Sequence, residues 1–466
     1  MLRTLRRLVP ALFMVGLLSG IAVPALADAT GGNTVAADPN APVNLVWVLV
    51  TGMLVFFMQP GFALLGAGLI RAKNTVNYLT KSYMDFCMGA LGFWILGFGL
   101  MFGGAGAVIG ASKAQGLDSG NAFFGTSGFF LAGAANDVTT MAVWFFQMVF
   151  AATAATIVAG IVTERMKITA YLAYSFIVTA IIYSVYGHWV WGGGWLWTLP
   201  FGAGARDFAG SGVVHAVGAF VGLAGAIMVG PRRGRFVNGR AVQIKGHNIP
   251  YVVLGTFILF FGWFGFNPGS TLAATDLRFA LVAVNTFLAG SAGAVAALYY
   301  SLAKTGKADI VLACNGSLAG LVGVTAPCAY IDPWAAVVIG AVSPFIMIAF
   351  NSFLERMRVD DAVGAIGLHG GAGLWGLLSV GIFANGAYGG VSGLIVGDTE
   401  QIIAQLINMA VVVVWAVGTG FLLFGAIKMT IGLRASEKEE IEGLDAAEHG
   451  LEAYPVETPA QPVGVR

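Results

Sequence analysis

Two histidines stand in matching sequence surroundings and could handle a proton. His215 follows Asp207 by eight residues, His369 follows Asp361 by the same interval, and a glycine stands three residues after each aspartate. A neutral imidazole offers one hydrogen-bond donor and one acceptor, and its usual pKa of about 6.5 lets it bind or release a proton near neutral pH. The match predicts two copies of one structural unit, each carrying one imidazole.

The two aspartates have a structural interpretation. Each precedes a predicted helix, where a carboxylate accepts hydrogen bonds from backbone N–H groups that lack partners inside the helix. We therefore predict that Asp207 and Asp361 are helix caps that also shape the electric field nearby. A metal site is not expected, because no cluster of Cys, His and carboxylate residues completes a coordination shell. Asp85 is interpreted as a polar contact between helices or subunits, without a role in transport.

A second group of residues could hold a small cation. Trp191 precedes three glycines, and the stretch from Gly262 to Ser270 combines a tryptophan, two phenylalanines and a hydroxyl group. Tryptophan near a membrane surface is usually an anchor, which is our interpretation of Trp195 and Trp197. A ring face exposed by neighbouring glycines suits a cation held by cation–π attraction. An ordinary metal-ion channel is disfavoured, because the sequence has neither an acidic ring nor a Thr-Val-Gly-Tyr-Gly filter.

Composition places these residues in a membrane protein. Of 466 residues, 58% are hydrophobic and 10% are charged, and the mean hydropathy is +0.82. Ordinary globular proteins carry about 25% charged residues, so a soluble fold of this size is excluded. The 24 lysines and arginines nearly balance the 23 aspartates and glutamates, which leaves no basic excess for nucleic acid. The three cysteines form no recognisable motif, and no nucleophile and base set suggests an enzyme.

Eleven apolar stretches are long enough to cross a bilayer, whose core needs about 20 residues per helix. They cover 45–69, 82–102, 140–163, 168–186, 211–229, 248–266, 279–302, 309–324, 333–354, 364–384 and 402–427. Alternate loops divide the basic residues unequally, fourteen against three, and the richer set, which includes Lys81, marks the cytoplasmic side. The sequence therefore predicts an all-α polytopic membrane protein with its N-terminus outside and its C-terminus in the cytoplasm.

The ends of the chain carry separate signals. Residues 1–27 combine three arginines, an apolar run and Ala25-Leu26-Ala27, which is the pattern of a cleaved signal peptide. We expect a mature start near Asp28, a transmembrane domain at 28–431 and a polar, acidic cytoplasmic tail at 432–466. The segment 103–138 is rich in small residues and is interpreted as an outer loop with short helical pieces.

The matched histidine units predict an inverted repeat. His215 enters its span from the outside and His369 enters from the cytoplasm, so five helices would be repeated upside down, with one extra helix. In such folds the substrate lies between the repeats near the middle of the bilayer. Each histidine lies about 12 Å from its aspartate along the helix, at 1.5 Å per residue, so the imidazoles can meet there. These residues alone leave ammonium, water, urea and a small weak acid open as substrates.

Several of these motifs resemble those of the ammonium transporter family in the Amt/Mep/Rh superfamily, and of its Amt branch in particular. The most specific strings are Asp207-Phe-Ala-Gly and Gly262-Trp-Phe-Gly-Phe-Asn. The resemblance covers nearly the whole mature chain, and its other segments are 60–74, 191–194, 320–325, 359–361, 367–370, 442–445 and 449–450.

The resemblance implies an eleven-helix protomer in a homotrimer, with one pore per protomer, in the cell inner membrane. No cofactor is implied. A PII-type nitrogen regulatory protein is implied as a partner at the cytoplasmic face. The roles implied for matching positions are ammonium binding by Trp191, Phe150 and Ser270 with support from Asp207, pore closure by Phe150 and Phe266, and pore lining by His215, His369, Trp263 and Thr325.

We expect NH4+ to lose its proton at the aromatic site and to cross as NH3 past the two imidazoles. Transport is electrogenic if the proton follows by a separate route. An ammonium sensor and an Rh-like channel for neutral gas are the alternatives. Two positions depart from the best-known bacterial pattern: Leu65-Gly66 stands where an aromatic pair often occurs, and Gly364 replaces a common aspartate. The first departure concerns packing beside the pore, and the second concerns contacts on the inner side of the pore.

Overall fold

The fold is that of a computed structural model, which describes residues 28, 30–103 and 120–455. The predicted signal peptide at 1–27, part of the predicted outer loop and the end of the tail lie outside the described residues. Eleven long helices, labelled α1 to α11 in chain order, account for most of the described chain. They are Ala41–Leu69, Ala72–Phe102, Val138–Val162, Ile168–Val190, Ser211–Val229, Ile249–Thr271, Arg278–Thr305, Ile310–Thr325, Pro333–Arg356, Ile366–Phe383 and Glu400–Thr430.

The prediction of an all-α polytopic fold is confirmed. Each predicted apolar stretch coincides with one of the eleven helices and extends at most two residues beyond it, because long runs without charge or proline clusters satisfy their backbone groups internally only as helices. Ten of the helices in the described chain are long and apolar enough to cross a membrane, whereas α8 has only 16 residues. The number of true spans, the inverted repeat and the orientation stay predictions.

Several helices change geometry along their length. Helix α1 is interrupted at Phe57, between Ala41–Phe56 and Met58–Leu69, and the end of α6 is a 3-10 turn at Pro268–Thr271. Wide π-helical turns occur within α2, within α4, and at the first turns of α5 and α10, at Phe93–Gly97, Val178–Ile182, Ser211–Ala216 and Ile366–Gly371. Such turns are rare and are often found at functional sites.

The connections are short helices, turns and one hairpin. Strands Phe236–Val237 and Arg240–Ala241 pair antiparallel between α5 and α6. Helix α2 begins with a 3-10 turn at Ala72–Asn74. The remaining short helical pieces are Gly32–Ala37, Phe129–Leu131, Gly133–Ala135, Leu394–Val396, Glu437–Glu442 and Asp445–His449. Two of them fall in the predicted outer loop, and the last two form the described part of the tail.

Burial separates central helices from peripheral ones. The apolar window of α3 is 94% buried and that of α5 is 83% buried, whereas that of α11 is only 28% buried. Helix α3 therefore forms the middle of the bundle. The exposed apolar faces of the peripheral helices, such as Leu422 on α11 and Phe257 on α6, are the surfaces expected to meet lipid or another protein.

The predicted position of Lys81 in a loop is wrong. Helix α2 already begins at Ala72, and Lys81 is buried within it, 1% exposed. Its Nζ donates to the backbone carbonyl of Met166 at 2.5 Å, between α3 and α4. A long amphipathic side chain can carry its charge to a carbonyl group at the end of a neighbouring helix, and this is why a lysine does not end the helix here.

Candidate functional site

The two matched histidines meet in the centre of the bundle. The Nδ1 atoms of His215 and His369 lie 3.1 Å apart, and the rings are nearly parallel, with an interplanar angle of 14°. His215 is fully buried and His369 is 6% exposed. Only one hydrogen can lie between two nitrogen atoms, so one imidazole donates and the other accepts, which requires opposite tautomers in a neutral pair.

Each histidine lies in a π-helical turn at the start of its helix. His215 is in Ser211–Ala216 of α5, and His369 is in Ile366–Gly371 of α10. These two segments match in sequence, and they have the same unusual backbone. The wide turn changes the direction in which a side chain leaves the helix, which allows the two rings to face one another across the helix interface.

Asp207 anchors the entry to α5. Its Oδ1 accepts from the backbone N–H groups of Gly210 and Ser211 at 2.8 and 2.9 Å, and its Oδ2 accepts from Gly212 and Val213 at 2.8 and 2.9 Å. Burial raises the pKa of this carboxyl, and the four backbone bonds oppose that rise. The carboxylate is thus occupied by the helix terminus, which agrees with the predicted cap.

Asp361 makes the equivalent contacts before α10. Its carboxylate accepts from the backbone N–H groups of Val363, Gly364 and Ile366, at 3.3, 3.0 and 2.5 Å. Gly364 has a φ of +77°, a backbone conformation that favours glycine. The glycine at this position therefore fits the turn that the cap stabilises.

A continuous row of aromatic rings leads to the histidines. Trp191 contacts Phe150 edge to face, with ring centroids 6.2 Å apart, and Phe150 stacks on Phe266 at 4.1 Å. Phe266 in turn stacks on His215 at 5.4 Å. Phe150 and Phe266 are almost fully buried, whereas Trp191 is partly exposed. The row runs from a ring that reaches the surface to the paired imidazoles.

Trp191 and Ser270 are both fixed by backbone carbonyl groups. The indole Nε1 of Trp191 donates to the carbonyl of Asp207 at 2.6 Å, and the hydroxyl of Ser270 donates to the carbonyl of Phe266 at 2.7 Å. Asp207 therefore holds α5 through its side chain and Trp191 through its backbone. The Ser270 oxygen keeps acceptor capacity, which a cation or its water could use.

Trp263 and Thr325 lie on one side of the histidines. The Trp263 ring stacks on His215, with centroids 5.3 Å apart and planes 18° apart. Its Nε1 donates to Thr325 Oγ1 at 3.0 Å, and that hydroxyl donates to the Leu321 carbonyl at 2.7 Å. Trp263 thus contacts the imidazole directly, whereas Thr325 orients the indole from behind.

Beyond His369 the aromatic row opens into a small cavity. It has a volume of about 30 Å³ and is bordered by His369, Phe62, Tyr78 and Thr156. Because one water needs about 10–15 Å³ by this measure, the cavity has room for roughly two molecules of that size. No sequence pattern singles out Phe62, Tyr78 or Thr156. Phe62 lies within the matched segment 60–74, but spacing alone does not show that its ring lies 6.4 Å from that of His369.

A buried cluster of charges secures the loops on the Asp361 side of the bundle. Arg232 donates through Nε and Nη2 to Asp360 and through Nη1 to Glu164, all within 2.9 Å. Burial would raise the pKa of Asp360, but the bonds from Arg232 and the charge of Arg165 lower it to about 2. Asp360 is thus charged at neutral pH and ties the Asp361 loop to the loop after α5.

The tail binds the start of α2 on the same side. Asp445 accepts from the backbone N–H groups of Val76 and Asn77 at 3.0 and 2.8 Å. Lys73 Nζ donates to the carbonyls of Glu440 and Ile441, at 2.8 and 2.6 Å. The tail is therefore an ordered part of this face over its described length.

Metal binding finds no support in the described part of the chain, where no group of three or more His, Cys, Asp or Glu side chains is arranged to hold an ion. The arrangement instead suits a small molecule that can exchange hydrogen bonds with imidazole. An ion would have to leave water to enter the buried aromatic row, which is costly without compensating charges.

A family model described as the Ammonium Transporter Family matches residues 46–454. Ammonium transporter Amt2 of Archaeoglobus fulgidus is 49% identical over 443 residues, which cover 92% of each chain. Ammonium transporter Amt1 of Haloferax mediterranei is 40% identical over 441 residues, covering 90% of this chain and 81% of the relative.

Solved structures are similar as well. A structure titled Sensor Amt Protein has a TM-score of 0.80 and 34% sequence identity, and the match covers 89% of this chain and 100% of that one. The crystal structure of Candida albicans Mep2 has a TM-score of 0.75 and 29% identity, with coverage of 85% and 87%. The helical bundle therefore has structural counterparts among solved proteins.

Proposed function

The chain belongs to the ammonium transporter family, and from that premise we propose that it takes up ammonium across the cell inner membrane as a source of nitrogen. It is a multi-pass membrane protein. The observation that carries the proposal is the row of rings from Trp191 through Phe150 and Phe266 to the paired histidines. Such a row offers cation–π attraction at its exposed end and neutral hydrogen-bonding groups at its buried end.

NH4+ binds at the exposed end, against Trp191 and Phe150, with the Ser270 hydroxyl as a further acceptor. Asp207 supports this site by fixing Trp191 and α5 and does not touch the ion, because its carboxylate oxygens are engaged by four backbone N–H groups. Aromatic faces replace part of the hydration shell that the ion loses there.

The ion loses its proton before it reaches the histidines. The stacked rings of Phe150 and Phe266 close the path to hydrated ions, and a bare NH4+ would be strongly disfavoured in this uncharged interior. NH3 has both donors and an acceptor, so it can exchange hydrogen bonds with His215 and His369. Trp263 and Thr325 hold the His215 ring in line with the path.

Electrogenic transport follows if the proton crosses by a polar route of its own. Purified protein in liposomes, with ammonium uptake measured with and without an inside-negative potential, tests this directly. We expect uptake to rise with the potential and a current to accompany it. Uptake that ignores the potential, without current, would instead support an Rh-like channel for neutral gas.

A sensor is the second candidate, and the similarity to the structure titled Sensor Amt Protein favours it. The ordered tail supports the same idea, because its contacts with Lys73 and Asn77 could report a change in the helices. A sensor that does not transport would bind ammonium without net uptake in the liposome experiment, whereas the proposed transporter accumulates it.

Three further features belong to the proposal: a cleaved signal peptide at 1–27, a homotrimer, and a PII-type nitrogen regulatory protein bound to the cytoplasmic face. The N-terminal sequence and native mass of the purified membrane protein test the first two. The third is tested by pull-down of a PII-type protein with the full chain and with a chain ending at Gly432. Equal binding to both, or binding to neither, would contradict a partner that reads the tail.

A further inference from the structure

A buried carboxylate in α2 has no place in the mechanism above. Asp85 is fully buried, its Oδ2 accepts from the Thr156 hydroxyl at 2.6 Å, and its Oδ1 has no hydrogen-bond partner among the described residues. The predicted contact between helices is present, because Asp85 lies on α2 and Thr156 on α3. A helix contact alone does not explain a carboxyl group with one oxygen left open in an apolar interior.

The charged neighbours of Asp85 do not neutralise it. Lys81 lies one turn earlier on α2, but its Nζ donates to the Met166 carbonyl at 2.5 Å. No lysine or arginine in the described ranges forms an ion pair with Asp85, as shown by the set of salt bridges they make. The titratable groups that interact with it electrostatically are Tyr171 and Tyr174 on α4, and Tyr78 and Cys87 on α2.

Polar groups on three helices complete the surroundings. Ser175 on α4 donates to the backbone carbonyl of Asp85 at 3.2 Å. Gln59 on α1 lies 3.1 Å from the Thr156 hydroxyl through Oε1, and its Nε2 has no partner within the described structure. These groups are all uncharged, so an ionised Asp85 would be a single negative charge without a counter-charge in a buried site, and binding a proton would remove that cost.

Thr156 connects this carboxyl to the transport path. Its side chain borders the cavity that His369 also borders, and its hydroxyl, which also lies 2.9 Å from the Ala152 carbonyl, donates to Asp85 at the shorter distance. A hydroxyl can accept a proton on one side while it gives its own proton to another acceptor. The cavity has the volume for a molecule the size of ammonia or water beside Thr156.

We propose that Asp85 is a proton-exchange site of the transport path, reached from the cavity beside His369 through the Thr156 hydroxyl. The inference rests on the proposed function, in which ammonia and its proton separate. In the exchange, the Asp85 carboxylic acid gives its proton from Oδ2 to Thr156 Oγ1, whose own proton moves to ammonia that has passed the histidines into the cavity. The carboxylic acid becomes a carboxylate and ammonia becomes ammonium, and the reverse step returns the proton to the carboxylate.

The experiment compares Asp85→Asn and Thr156→Val with Thr153→Val. Both replacements at the site nearly keep the side-chain shape, and Asp85→Asn cannot exchange a proton as a carboxyl does. Thr153 is the matched control, because it is a buried threonine one turn earlier on α3 whose hydroxyl donates to the Val149 carbonyl at 2.9 Å. The measured quantity is the charge moved per nitrogen taken up by liposomes.

We expect this ratio to fall by about tenfold in Asp85→Asn and Thr156→Val. The fall should be smaller than the full effect of losing a general acid or base, because water can carry some of the protons. Thr153→Val should keep the ratio of the unchanged protein. Unchanged ratios in both site variants would overturn the inference while leaving ammonium transport intact. A protein without the replacements that takes up no ammonium would instead contradict the proposed function.

A second measurement tests the inference even if one of the variants fails to fold. Infrared difference spectra of the unchanged protein, with and without ammonium, should show a change in the carbonyl band of a protonated carboxylic acid. The band change should persist in Thr153→Val and be lost or slowed in Thr156→Val. Spectra without such a change in the unchanged protein, or identical spectra in a folded Asp85→Asn variant, would overturn the inference.

Discussion

His215 and His369 share one hydrogen between Nδ1 atoms 3.1 Å apart, and their rings are inclined by only 14°. The pair therefore acts as one unit: a change of tautomer in one ring requires the opposite change in the other. The Nε2 atom of His215 is buried without a partner among the described residues. The histidine pair can exchange hydrogen bonds with a small molecule that both donates and accepts them, while both imidazoles stay neutral.

The Trp191 ring should affect the apparent affinity for ammonium more than the maximal rate of uptake. Replacing it by leucine removes a cation–π contact worth about 0.5–2 kcal/mol, so the ammonium concentration for half-maximal uptake should rise by about 2- to 30-fold. Concentration dependence of uptake in liposomes measures this. Trp195→Leu is the control, since that indole is interpreted as an anchor. An equal rise in both variants would contradict a specific role of Trp191.

Asp207 should matter for stability before it matters for binding. Asp207→Ala leaves four backbone N–H groups without their acceptor, and each unmet buried donor costs about 1–3 kcal/mol, so the thermal unfolding temperature should fall markedly. Asp207→Asn keeps one acceptor oxygen, so its unfolding temperature should lie between those of the unchanged protein and Asp207→Ala. An Asn variant with normal thermal stability and a strongly weakened affinity would mean that the carboxylate touches the ion.

The Asp360 contacts should stabilise the fold only where the carboxyl is charged. Its pKa is lowered to about 2, so the stabilisation is complete above the ordinary pKa near 3.8 and is lost as the pH falls towards 2. The shift corresponds to about 2 kcal/mol. Asp360→Asn should therefore lower the unfolding temperature at pH 7 and should approach the unchanged protein near pH 2. A difference that is the same at both pH values would contradict this account.

Gly66 should not tolerate a side chain. A Cβ atom at this position would overlap the phenol ring of Tyr78, which occupies the space beside α1. Gly66→Ala should therefore destabilise the protein, and the double variant Gly66→Ala with Tyr78→Leu should recover part of the loss. Thermal unfolding of the three proteins tests this, and a double variant less stable than Gly66→Ala would show that Tyr78 is not the obstacle.

The fold was largely predictable because the bilayer restricts the choices. Long uncharged stretches must be helices, and the predicted limits agree with the eleven helices to within a few residues at most ends. The exception is the start of α2, where Lys81 is buried against the Met166 carbonyl. Residues far apart in the chain make the contact that lets a lysine lie inside this helix. Hydropathy along the sequence cannot show such a contact.

The sequence singled out residues that the structure brings together, but it did not give their geometry. The equal spacing from Asp207 to His215 and from Asp361 to His369 correctly indicated two caps and two equivalent helix starts. The wide helical turns, the stack of Phe150 on Phe266, and the ring of Tyr78 beside Gly66 depend on packing between helices. The link between Asp85 and Thr156 likewise requires two helices to be placed side by side.

Ammonium uptake measured together with potassium current in His215→Ala, His369→Ala and the double variant tests the role of the histidine pair. Loss of either imidazole should break the hydrogen-bonded unit, so that uptake falls or potassium begins to pass, and the double variant should show this at least as strongly. Normal uptake and full exclusion of potassium in all three variants would remove the histidine pair from the mechanism.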